Sequence, residues 1–131
     1  MQDASYLLQV PNVVAEIPPL ATMPPVLLAW DRFRYPQPFR ADWIIDTSAH
    51  IDHVVSLLHC HASQVYEWLP HTQGIEVPAD DPTGWLKDWY AQRPQHVARK
   101  FAPEQMSYAE AYEISEYGGP FSAEEYAWLA S

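Results

Sequence analysis

Cysteine is nearly missing from this chain: Cys60 is the single one in 131 residues, so no internal disulfide can form and nothing argues for an oxidising compartment. Basic side chains are scarce too. Seven Lys and Arg face seventeen Asp and Glu, and the formal charge of -10 repels phosphate backbones and anionic lipid surfaces, which argues against nucleic acid as a partner. Long apolar runs are lacking. Stretches such as Val26-Leu27-Leu28-Ala29-Trp30 fall far short of the roughly 20 residues that cross a bilayer, so no membrane span is expected. Met1-Gln2-Asp3-Ala4-Ser5 shows no basic patch followed by an apolar stretch, so no secretory leader is expected and a cytoplasmic address follows by default. Internal repeats, a Gly-rich phosphate loop and a Gly-x-Ser-x-Gly nucleophile elbow are also absent.

What is abundant is proline, thirteen in all, and aromatic side chains: eight Tyr, six Trp and four Phe. The apolar fraction of 48% is enough for a core, and the length suits a single domain or part of one. Ala4, Leu7 and Leu8 have helical spacing that stops at Pro11, a short helix for the opening of a domain. Four prolines in 13–25 predict an extended crossing. The run from Val26 to Trp30 suits a strand buried on both faces, placing Asp31 at its carboxyl end, where open α/β sheets bind their ligands. Trp43-Ile44-Ile45-Asp46 predicts a second strand. Residues 48–69 carry the strongest helix signal, with Ser48 as N-cap, Pro70 as stop, and Ile51, Val54, Val55, Leu58, Ala62, Val65 and Leu69 on one apolar face. A helix over 83–92 ends before Pro94, and 108–115 alternates as a strand. Gly118-Gly119-Pro120 predicts a turn, and Ser122-Ala123-Glu124-Glu125 a capping box that opens a last helix.

Six histidines in an acidic chain invite a test for metal binding. His50 and His53 lie three apart and can share a helical face, yet two ligands do not hold zinc, and both read as solvated positions in the first helical turns. In a helix, His59 and His61 diverge by roughly 160 degrees and cannot face one ion. Cys60 reads as a small buried filler. His61 and Gln64 are three apart and can project together, presenting an imidazole and an amide to a polar ligand. By composition alone, the simpler account of that pair is hydrogen bonding to neighbouring loops. Asp80-Asp81 reads as solvated acidic loop. Tyr66, Trp68, Trp85, Trp89 and Tyr90 fit a sugar-stacking wall, and equally an aromatic core or subunit interface.

Four segments, in order, resemble the LmbE/PIG-L family of zinc-dependent N-deacetylases, whose founding eukaryotic activity removes acetyl from N-acetylglucosaminyl phosphatidylinositol. Gln2-Asp3-Ala4-Ser5-Tyr6 resembles the helix after the family's second histidine motif. Asp46 and the stretch ending in Leu58-His59-Cys60-His61-Ala62-Ser63-Gln64 resemble its aspartate strand, helix and His-x-Ser-Gln segment, which Val65-Tyr66-Glu67-Trp68-Leu69-Pro70 continues as in one bacterial branch. Tyr108-Ala109-Glu110-Ala111-Tyr112 resembles the late Ala-Glu-Ala-aromatic strand. The likeness covers most of the chain but only the family's second half.

In the family, a His and an Asp from an early His-Pro-Asp-Asp-Glu motif and a His from a later His-Pro-Asp-His motif hold zinc, and another early Asp is the general base. Neither motif occurs here. His50-Ile51-Asp52-His53 mimics the second but lies inside the later helix, and Val54 stands where the family often has lysine. The resemblance implies an α/β fold, the partial, three-layer Rossmann-like carboxyl-terminal part of a deacetylase domain that is one incomplete unit over 1–131. The complete enzyme would use zinc to polarise an acetamide carbonyl of a small N-acetylated, amino-sugar-type substrate. This chain alone is expected to bind no cofactor, to hold no catalytic or metal residue, and to contribute His61 and Gln64 as substrate-binding groups, with Glu110 as a buried structural acceptor. A complementing amino-terminal half or self-association is expected to cover its open faces. A non-catalytic binding or assembly module derived from the same fold is the other reading.

Overall fold

The computed structural model describes residues 2–11, 13–14, 16–32 and 37–129. Among them the elements run α1 (Gln2–Leu7), β1 (Leu27–Ala29), β2 (Trp43–Asp46), a 3-10 turn (Ser48–His50), α2 (Ile51–His59), a π-helix (Ser63–Trp68), α3 (Leu69–Gln73), α4 (Pro82–Phe101), β3 (Ala109–Ile114) and α5 (Ala123–Leu129). The protein is a small α/β chain whose three strands form an antiparallel sheet in the order β1-β3-β2. Rossmann-like sheets are mostly parallel, so these strands support the coarser α/β class and no finer one. Two compact units emerge, one of Met1–Trp43 with Tyr112–Ser131 and the other of Ile44–Ala111.

In the first unit, β1 pairs with β3 in the register Leu27 to Ile114, Leu28 to Glu113 and Ala29 to Tyr112. The strand expected to be buried on both faces is instead an edge strand with one neighbour; Leu27 and Leu28 are half-buried and Ala29 is exposed. Its apolar run is therefore only partly explained by burial. The Ser115 N–H extends the pairing to the Val26 carbonyl at 2.9 Å, and Gly119 N–H donates to the Pro24 carbonyl at 3.0 Å. Gly119 permits that approach, since a Cβ there would sit 2.0 Å from the Met23 carbonyl oxygen. Trp43, Phe121 and Tyr126 pack ring against ring, with centroids 5.2 to 5.9 Å apart. The capping box forms in both directions: Ser122 N–H donates to Glu125 Oε2 at 2.7 Å, and Glu125 N–H to Ser122 Oγ at 3.2 Å.

The second unit is built on Ile51, Val55, Val65 and Leu86, with Leu58, Tyr66, Trp85, Trp89, Tyr90 and Tyr108 packed around them. Leu86 is fully buried. Asp81 caps α4 by accepting from Gly84 N–H at 2.8 Å. The sequence stops this helix before Pro94, but the structure carries it on to Phe101. Pro94 costs the helix one backbone hydrogen bond. Burial of Ala91, Pro94, Val97 and Ala98 along the same helix offsets that loss.

Residues 48–69 do not form the single helix that their spacing predicts. The α-helix ends at His59, Cys60 and His61 leave it, and the chain resumes as a π-helix at Ser63. Pro70 does not stop the helix; it sits in the first turn of α3, where its missing N–H is of no consequence. The stop falls instead at Gly74, whose φ of 65° is the left-handed conformation that glycine adopts without strain.

Candidate ligand-binding site

The interruption at Cys60 and His61 is where the sequence-derived candidates lie. Cys60 and His61 N–H groups donate to the Leu57 and Leu58 carbonyls at 3.1 and 2.9 Å, closing α2 with tight turns. The His61 carbonyl then accepts from both Gln64 N–H at 2.9 Å and Val65 N–H at 3.0 Å, starting the next segment. Across the break, His59 Nδ1 and the Tyr66 hydroxyl lie 2.8 Å apart, and their rings meet edge to face. Cys60 is exposed, contrary to the buried filler expected of it; it lies half a turn away from the face of Ile51, Val55 and Leu58, and its thiol donates to the Ser56 carbonyl at 3.5 Å.

The π-helix determines what Gln64 can face. Its wider turn is marked by the Leu69 N–H, which donates to the carbonyl of Gln64, five residues back. Ser63, Gln64, Glu67, Trp68 and His71 line one shallow surface hollow. All five are exposed, and Trp68 remains 54% accessible although it is the largest of them. Among the described residues, no hydrogen bond or ion pair engages the side chains of Gln64, Glu67 or His71. His61 is exposed as well but lies outside this lining, so the backbone links the two expected substrate-binding residues while only Gln64 reaches the hollow. Ser63, Glu67 and His71 follow the i, i+4 spacing that gathers residues on one helical face, but nothing in that polar spacing marks them as a site. Trp68 was visible only as one of five aromatics.

Other candidates are dispersed. His50 is the N-cap of α2 and His53 is exposed in its first turn. Among the described residues, no three His, Cys, Asp or Glu side chains converge as a metal site would require. Asp80 is exposed, and Asp81 is committed to capping α4. Asp31 is exposed beyond the end of β1. Glu110 is half-buried in β3; burial pushes the Tyr90 phenol above its ordinary value of 10.0, and the Glu110 charge adds to the rise. A second hollow, lined by Asp52, Ser56, His59, Thr83 and Lys87 among others, contains the exposed Lys87–Asp52 ion pair at 2.6 Å, which holds the lysine above its ordinary 10.5. The start of α4 beside it is occupied by the Asp81 carboxylate, leaving no room for an anion.

Compared with protein-family models, curated proteins and solved structures, the chain matches none. Among the described residues, no helix is long and apolar enough to cross a membrane.

Proposed function

We propose that the chain is the carboxyl-terminal, zinc-motif-free part of an LmbE/PIG-L-like N-deacetylase acting on an N-acetylated, amino-sugar-type substrate. In this reading it contributes later strands and helices of a Rossmann-like domain in the cytoplasm, together with Gln64 and His61 as pocket groups, and is inactive by itself. The four ordered sequence segments motivate the family. The structural observation that supports an incomplete domain is the density of exposed large apolar side chains near the start of the first unit. Tyr6 is 72% accessible and Ile17 65%, and Leu7, Leu8, Val13, Val14 and Leu20 are all exposed as well. A self-contained domain buries such residues, and one that lacks its complement leaves them in water.

A second reading, a non-catalytic assembly module, rests on the same exposed side chains and assigns them to a partner. One experiment separates the two. The chain is expressed alone and together with a polypeptide carrying His-Pro-Asp-Asp-Glu and His-Pro-Asp-His motifs, encoded upstream in the same frame. Release of acetate from an N-acetylated amino sugar by the pair, and none by the chain alone, is the expected result. A stop codon and promoter directly upstream, with no such polypeptide, favours the assembly module. Zinc-dependent turnover by the isolated chain overturns both.

A further inference from the structure

A hollow of about 730 Å³ in the first unit is lined by Gln9, residues 20–25, Gly119, Pro120 and Glu125. Its hydrogen-bonding capacity is one-sided. Pro24, Pro25 and Pro120 have no N–H to offer. The Leu20 N–H is spent on the Leu8 carbonyl at 2.8 Å, the Gly119 N–H on the Pro24 carbonyl at 3.0 Å, and the Glu125 N–H on Ser122 Oγ at 3.2 Å. Six of the ten lining residues therefore present no free backbone donor. Glu125 is the one charged residue of the lining. Its Oε2 accepts from the Ser122 N–H at 2.7 Å, and among the described residues its other oxygen has no partner. The Ser122 contacts hold this carboxyl below its ordinary 4.5.

A ligand matched to such a surface is rich in donors, free of acceptors and apolar along its stem. Arginine is that side chain: its guanidinium donates and never accepts, and its methylenes pack on proline and leucine. The hollow's edge decides what the arginine is attached to. Leu20 carries the apolar lining to the end of α1, where Leu7 and Leu8 lie in water; all three are 44 to 47% accessible. A free amine would fill the hollow and leave that strip wet, whereas a chain with apolar residues beside its arginine covers both. The first unit carries eight Asp and Glu against three Arg and no Lys, a balance that favours such an occupant over a second copy of this chain. We propose that the hollow and the leucines beside it dock an arginine-bearing apolar segment of a partner protein. This rests on the second reading above, in which the exposed side chains meet a partner, and supplies that partner's chemistry.

The test is fluorescence anisotropy of a labelled peptide of Leu-Arg-Ala repeats, and of its counterpart with Gln for Arg, titrated with the whole chain. Saturable binding is expected for the arginine peptide and not for the glutamine one. Glu125→Gln keeps the capping box, since glutamine also accepts from the Ser122 N–H, and weakens binding about two- to fivefold, the size of an exposed ion pair. Glu104→Gln removes the same charge from an exposed position in the second unit and leaves binding unchanged. Leu20→Ser weakens it about fivefold through lost apolar contact. The proposal is overturned if the glutamine peptide binds as well, if Glu104→Gln weakens binding as much as Glu125→Gln, or if Leu20→Ser binds undiminished. Displacement of the peptide by an equal concentration of free arginine amide, or its exclusion by a dimer of the chain that Leu20→Ser disperses, overturns it too. Failure of the peptide while a hydrophobic dye still binds the wild-type chain, and binds Leu20→Ser less, removes this proposal alone; no dye binding at all removes the partner reading as well.

Discussion

Asp42 shows how much one surface carboxylate can organise. Its two oxygens receive the Arg40 guanidinium at 2.6 and 2.8 Å, and one also accepts from the Ile114 N–H at 2.9 Å. The Arg40 hydrogen bond, and then the backbone one, hold Asp42 below its ordinary 3.8. The Ser48 hydroxyl and N–H lower Asp46, and the Ser122 N–H and hydroxyl lower Glu125 from 4.5. A carboxylate whose folded value is depressed contributes stability that is present above its unfolded value and is lost as pH falls through the folded one. The denaturant midpoint is therefore expected to decline as pH drops below the range from 4.5 to 3.8, and Asp42→Asn, measured by urea titration, flattens that decline. At Gly119 the constraint is steric. Gly119→Ala drives a methyl against the Met23 carbonyl and displaces the bond to Pro24, at a cost of about 1–3 kcal/mol read from the same titration.

At the scale of elements, α2 and α4 meet around Leu86, which has no accessible surface, and Leu86→Ala is expected to cost about 2–5 kcal/mol and lower the melting temperature. Tyr66→Phe keeps the ring contact with His59 but removes the hydrogen bond across the helix break. Its effect is about 1 kcal/mol or less because the pair is exposed, and amide exchange over 60–66 should quicken. These elements also show where sequence is informative. β2 coincides with Trp43-Ile44-Ile45-Asp46, and the α5 box forms at Ser122 and Glu125, because alternation and capping are local. The break at Cys60 and His61 was not legible, since the apolar spacing runs unbroken from Leu58 through Ala62 to Val65 and Leu69. That spacing records which residues seek the core, whereas a π-turn changes the direction of those between them. Gln64 stands out by its chemistry, while Ser63, Glu67 and His71, spaced four apart as on any helical face, stand out only once the hollow they line is seen. Pro94 misled for a related reason: the rule weighs a local hydrogen bond, and the burial that outweighs it is tertiary.

For the whole molecule, the exposed apolar side chains set the solution behaviour. With Tyr6, Leu7, Leu8, Ile17 and Leu20 open to water, the isolated chain is expected to bind a hydrophobic dye and to associate as its concentration rises, by light scattering. Tyr6→Ser with Ile17→Ser reduces both effects without disturbing the second unit, where neither residue lies. The strand order could not be read from the chain, because pairing β1 with β3 joins residues more than eighty positions apart, and no local pattern encodes that partnership.

The exposed thiol at the helix break has a practical value. With no other sulfhydryl in the sequence, a maleimide dye reacts at Cys60 alone, and the wild-type polypeptide can be labelled without substitution. The attached fluorophore sits three residues before the first member of the π-helix, so its emission reports on rearrangement of that turn.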